Sequence, residues 1–244
     1  MYETVIIVDN KHLRWLDELA SLINEKLGDS AVTACKIGGR CSYISVGADG
    51  RRTGQVAAGV ASSLISLILG RMKYDFISER IRSLRCPDAS IKLLCHALTG
   101  FDRETEEEMV AETLPSGKIF DLEGYRNFRM SELVSRWMEI CRLATEHSAY
   151  LCDEETMNEL LRFLIDAGRS DGSRAEIFKL GGKYRIVEHR RDGESGEKIF
   201  ETFDDMLCHL IDIAPCETVV SGFEYDDKFR RLHSIFDVKC NNLR

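Results

Sequence analysis

The sequence predicts an α+β fold, and three observations carry that reading. Near both ends of the chain apolar residues alternate with polar ones, as in half-buried strands. Between about residues 55 and 170 they recur at helical spacing instead, as along the buried stripe of amphipathic helices. Glycine pairs and prolines punctuate the segments: Gly38-Gly39, Pro87, Pro115, Gly181-Gly182 and Pro215. The expected organisation is a small N-terminal α+β unit (1–54), a helical region (55–170) and a C-terminal β-β-α-β-α-β unit (171–244).

Taken in order, "ETVIIV" (3–8) is a strand. The helix at 11–27 follows, because Leu13, Leu16, Leu19, Ala20, Ile23 and Leu27 share one face and Gly28 stops it. Strands at 31–37 and 41–48 form a hairpin around Gly38-Gly39. A long helix is expected from 55 to about 84, restarting after Pro87 and ending at Gly100. Residues 102–114, "DRETEEEMVAETL", read as a short, acidic, solvated helix. One long amphipathic segment is expected over 121–149. Asp153 reads as the N-cap of the next helix, with Glu154 and Glu155 in its first turn and Gly168 at its end. A hairpin turns on Gly181-Gly182. "DGESG" (192–196) is a loop, 200–214 a helix, 217–223 a strand, 226–236 a helix and 237–240 a short edge strand.

The formal net charge of −8 opposes general nucleic-acid binding, which requires a basic field to displace counterions. The nine cysteines are odd in number and irregular in spacing, and Cys141 and Cys208 fall in apolar helical phase. That usage suits a reducing cytoplasm, and the N-terminus lacks the pattern of a secretory signal. The uncharged stretch 55–70 spans roughly 24 Å as a helix, short of a bilayer core of about 30 Å. It is therefore expected as a core helix, although Arg51, Arg52, Arg71 and Lys73 flank it as cations flank a membrane span.

From residue 120 onward a family resemblance emerges. "FRM" (128–130), the long helix after it, "AYLCDEE", "LLRFL" (160–164), two strands, and "DDMLCHLIDIAP" followed by "TVV" occur in the order seen in the YtxC-like sporulation proteins of spore-forming Firmicutes, which this segment resembles. The resemblance implies a sporulation setting rather than a mechanism. Members of that family often end in a cysteine cluster; here only Cys240 stands at that place.

The candidate site residues are Arg126 and Arg129, interleaved with Tyr125 and Phe128. Glu123, Arg126, Arg129 and Glu132 follow at i, i+3 steps, a charge stripe that stabilises a helix by about 0.2–0.5 kcal/mol per pair. Cations near a helix start need a partner. It is either a neighbouring acid or aromatic face, which makes the segment a packed joint, or an anion or protein surface. No catalytic residue can be named: His12, His96, His147, His189, His209 and His233 lie in no nucleophile motif. The adjacent pairs Cys95-His96 and Cys208-His209 lack zinc spacing, so neither metal nor cofactor is expected. "IGGR" and "LGGK" are hairpin turns rather than phosphate loops. The cations of Arg80, Arg82, Arg85 and of "FRRLH" (229–233) are diluted by acids. The leading expectation is a non-enzymatic interaction or regulatory protein with a protein partner, neither nucleic acid nor membrane being its target and its oligomeric state left open. The alternative is an enzyme or nucleic-acid-processing factor whose site is assembled from distant residues.

Overall fold

The computed structural model describes residues 2–84, 86–115, 117–151, 153–167, 172–190, 193 and 195–240. Gly168, expected to stop a helix, lies outside them, as do Arg85 and Cys152. The elements run β1 (Tyr2–Asp9), α1 (Leu13–Leu27), β2 (Val32–Ile37), β3 (Cys41–Ala48), α2 (Thr53–Ser66), a π-helical stretch (Leu67–Met72), α3 (Lys73–Ile81), α4 (Asp88–Gly100) and α5 (Arg103–Thr113). They continue with β4 (Ile119–Asp121), α6 (Leu122–Phe128), α7 (Ser131–Glu146), α8 (Ser148–Leu151) and α9 (Glu154–Ala167). The last are β5 (Arg174–Leu180), β6 (Lys183–His189), β7 (Ser195–Phe200), α10 (Phe203–Ile213), β8 (Glu217–Ser221), α11 (Asp227–Ile235) and β9 (Val238–Cys240). The fold is α+β. The helical stretch between residues 55 and 170 is shared between two compact units, Met1–Phe76 with Glu104–Glu139, and Ile77–Arg103 with Ile140–Arg244.

The first unit is a four-stranded sheet in the order β2-β3-β1-β4, with β4 parallel to β1 and the others antiparallel. Ile6, Val8, Ile44 and Val46 point from the sheet into the core, where Trp15, Leu16, Leu19 and Ile23 of α1 meet them. The apolar stretch 55–70 lies in this core: Val56, Val60, Leu64, Leu67, Ile68 and Leu69 are buried, and only Gln55, Ala58 and Ser62 are exposed. By length and composition alone the helical span Gly50–Ile81 could cross a membrane, and 39% of its most apolar window is buried inside the protein. Gly59 permits the close approach of α1 and α2, since a Cβ there would stand 2.3 Å from Leu27 Cδ2. Gly59→Ala is therefore expected to destabilise by about 1 kcal/mol, the gain in helix propensity being outweighed by overpacking. A lowered urea midpoint at unchanged slope would report it.

Two segments depart from the sequence expectation. The segment 121–149 is not one helix: β4 precedes it, and α6 ends at Phe128 before α7 begins at Ser131. The acidic helix α5 is not wholly solvated, because Glu106 and Val110, four residues apart on one face, are buried. Glu106 Oε2 accepts a hydrogen bond from Lys73 Nζ at 2.7 Å, and its Oε1 accepts one from Trp137 Nε1 at 3.0 Å. Both charged side chains are 0% exposed. Lys73, which flanks the apolar run in sequence, is thus an interior cation.

The second unit holds a five-stranded sheet ordered β7-β6-β5-β8-β9, antiparallel from β7 to β5 and parallel from β5 to β9. Gly181 and Gly182, at φ of +56° and +96°, form the expected two-residue turn joining Leu180 to Lys183. The order is β-β-β-α-β-α-β rather than β-β-α-β-α-β. The additional strand, β7, takes in part of the expected loop 192–196; it is exposed on both faces and shows no apolar alternation. Thr202 caps α10 by accepting from the Asp205 amide at 3.1 Å, and Met206, Leu207, Leu210 and Ile211 of that helix are buried. Leu93, Leu94, Leu161, Leu164, Leu232 and Ile235 complete the buried set from α4, α9 and α11.

Candidate functional site

Helix α6 begins where the Asp121 carboxylate accepts from the Glu123 amide at 3.1 Å, an N-cap that also meets the helix dipole. Leu122 and Tyr125, three residues apart, are buried. Glu123 and Arg126, also three apart, therefore project together towards the start of α1. There the Glu123 Oε1 accepts from Lys11 Nζ at 3.0 Å and from Arg126 Nη2 at 2.9 Å. Arg126 Nη1 donates to His12 Nε2 at 3.3 Å, and the guanidinium carbon lies 5.8 Å from the centre of the Trp15 ring. His12 stacks on Trp15, centroids 3.7 Å apart and planes 7° apart.

Within this cluster Glu123 Oε2 is buried without a hydrogen bond, 3.8 Å from His12 Nε2. Burial, reinforced by the Arg126 charge, pulls the His12 pKa below its ordinary value. The ring is then neutral and its Nε2 lone pair is free to accept from Arg126. Burial pushes the Glu123 carboxyl upward, but the Lys11 hydrogen bond and the Arg126 charge prevail and hold it below the usual range. Arg126 is thus satisfied by an acid, an imidazole and an aromatic face, all supplied by the first unit. It behaves as a joint between α6 and α1.

Arg129 points elsewhere. It follows the last turn of α6, its amide donating to the Tyr125 carbonyl at 2.8 Å. Its side chain is exposed and makes no ion pair among the described residues. It borders a depression of about 80 Å³ with Met109, Glu112, Thr113, Tyr125, Glu132 and Leu133. Burial raises the Tyr125 pKa, and the phenol lies 2.6 Å from Thr113 Oγ1. Beside Arg129, Phe128 is 82% exposed. The two arginines singled out in the sequence therefore do not converge: one is internal to a packed joint and the other lies on an open aromatic-cationic turn.

Other chemistry-bearing groups fall into separate pairs. In the second unit His96 Nδ1 lies 2.7 Å from Asp212 and His209 Nε2 lies 2.5 Å from Glu188. Burial lowers the His209 pKa although Glu188 pulls it upward. The neighbouring thiols are poor nucleophiles, since burial pushes Cys95 up to about 11 and Cys208 up to about 12. Among the described residues, no group of three or more His, Cys, Asp or Glu side chains is placed to hold a metal. Arg230 and Arg231, read as diluted cations, pair with Asp227 at 2.6 Å and Glu154 at 3.8 Å, along an open groove between α9 and α11 of about 1090 Å³.

Sequence reading missed the role of His12, which lies 114 residues from Arg126, and of Lys73, whose setting in a charged flank concealed it. The spacing Glu106–Val110 was the one available signal for the buried acid. Comparison with protein-family models, curated proteins and solved structures finds no match for this chain.

Proposed function

We propose that this chain is a non-enzymatic interaction protein of the cytoplasm, acting in sporulation, whose partner surface includes the turn between α6 and α7. The resemblance of its second half to the YtxC-like proteins supports the cellular setting. The observation that carries the interaction reading is Phe128, 82% exposed, next to Arg129, which makes no ion pair among the described residues and borders a small depression of mixed apolar and charged lining. Aromatic and arginine side chains dominate the energetics of protein interfaces. Arg126 contributes indirectly, by fixing α6 against α1.

Affinity capture from sporulating cells separates these roles. Phe128→Ala and Arg129→Ala are expected to retain the thermal unfolding profile and to weaken capture of the partner by about thirtyfold or more. Arg126→Ala is expected to behave in the opposite way, losing about 1–2 kcal/mol of stability and retaining capture at temperatures below its transition. A partner set unchanged by Phe128→Ala and Arg129→Ala would remove this turn from the interface.

A further inference from the structure

We propose that His12, Glu123 and Arg126 form a proton-operated latch: on gaining a proton His12 releases Arg126, takes Glu123 Oε2 as its partner instead, and reseats α6 against α1. The latch lies wholly within the first unit and does not depend on a partner binding the Phe128 turn.

A single nitrogen is contested. His12 Nε2 lies 3.3 Å from Arg126 Nη1 and 3.8 Å from Glu123 Oε2. The first neighbour is a donor and the second an acceptor, so Nε2 can serve only one of them at a time. As a lone pair it accepts from the guanidinium, with the ring proton on Nδ1; as an N–H it can serve only the carboxylate. Glu123 has one oxygen open to this exchange. Its Oε1 is taken by Lys11 and Arg126, whereas Oε2 is buried and has no hydrogen bond among the described residues. At 3.8 Å that oxygen is beyond hydrogen-bond reach of His12. Closing to the length usual for a charged N–H and a carboxylate takes a movement of about 1 Å.

Protonation drives the movement from both sides. The imidazolium meets the guanidinium as a like charge where it had accepted a hydrogen bond, and it gains a carboxylate oxygen that had none. Arg126 keeps its bond to Glu123 Oε1 but loses the acceptor that ties it to the residue before α1. Two further charges act on the ring: Lys11 opposes the proton and Asp9, at the end of β1, favours it. Trp15 reports the change. The imidazole covers its ring at 3.7 Å, while its own Nε1 is anchored to Asp75 at 3.0 Å.

Burial and the Arg126 charge hold the folded His12 below its ordinary value of about 6.5, and Glu123 stays ionised because its carboxyl lies below the usual carboxylate range. The unfolded chain therefore takes up this proton more readily than the folded protein. The stabilisation from neutral His12 is fully present above about pH 6.5 and is lost as the pH falls towards the folded pKa.

NMR titration of the full chain, labelled at histidine, tryptophan and arginine, tests the latch. His12 is expected to titrate with a midpoint below about 6.5, and the Trp15 indole and Arg126 Nε signals to move with the same midpoint. Glu123→Gln is expected to lower the His12 midpoint by about one pH unit, a tenfold loss of proton affinity. His12→Gln is expected to abolish the Trp15 and Arg126 movements and to leave circular dichroism unchanged. The wild-type titration needs no substitution, so the test survives a variant that folds poorly. An unshifted His12 midpoint would overturn the proposal. So would Trp15 and Arg126 signals that stay still while His12 titrates, or that still move in His12→Gln.

Discussion

Replacing Glu106 with alanine is expected to cost about 3–5 kcal/mol. The reason is the neighbour it would desert. Lys73 is 0% exposed and its Nζ lies 2.7 Å from Glu106 Oε2, so the ammonium is buried directly against a carboxylate. Without that carboxylate the cation must lose its proton, draw in solvent or force the helices apart, and each route costs free energy. Trp137 would lose its acceptor at the same stroke. The double substitution Lys73→Met/Glu106→Leu is expected to cost much less than the two single changes added together, since it removes both charges and retains the volume. Urea unfolding of the four proteins closes the cycle. Additive costs would mean that the two groups are not held to each other.

Ile68→Ala is the second large effect, expected at about 2–5 kcal/mol, with Ile68→Val at about 0.5–1.5 kcal/mol. Ile68 lies in the π-helical stretch, where Leu67, Ile68 and Leu69 are all 0% exposed. A regular α-helix would turn one of three successive residues away from the core; the wider π turn alters that phase. The substitution therefore opens a cavity in a place where neighbours on every side are fixed. The measurement also discriminates between solvents for this helix. Were residues 55–70 facing lipid, removing methyl groups from Ile68 would leave urea unfolding unmoved.

Local chemistry made much of the fold legible. Gly28 does stop α1, the glycine pair at 181–182 does turn a hairpin, and the Asp153 carboxylate accepts from the Thr156 amide at 2.9 Å, as an N-cap should. Each of these signals is complete within a few residues. β4 was illegible because three residues are too few to show a period, and because its pairing with β1 is long-range, Val5↔Ile119. β7 was illegible because a doubly exposed strand has no buried face to record. The candidate site was half legible. The arginines were visible, but what decides between joint and surface is whether a partner lies within reach, and His12, Lys11 and Trp15 are remote in sequence from Arg126. The ion pair between residues 73 and 106 left still less trace, since a buried glutamate in an acidic run looks like its solvated neighbours.

The interleaving of the two units has a consequence for biosynthesis. The first unit takes β4 and its second group of helices from residues 104–139, after the chain has already given residues 77–103 to the second unit. On the ribosome, at about 5–20 residues per second, an emerging N-terminal half therefore exposes β1 without its parallel neighbour and Lys73 without its carboxylate for some seconds. During that interval Lys73 can remain hydrated, and it is committed to the interior only once the acid on α5 has been translated.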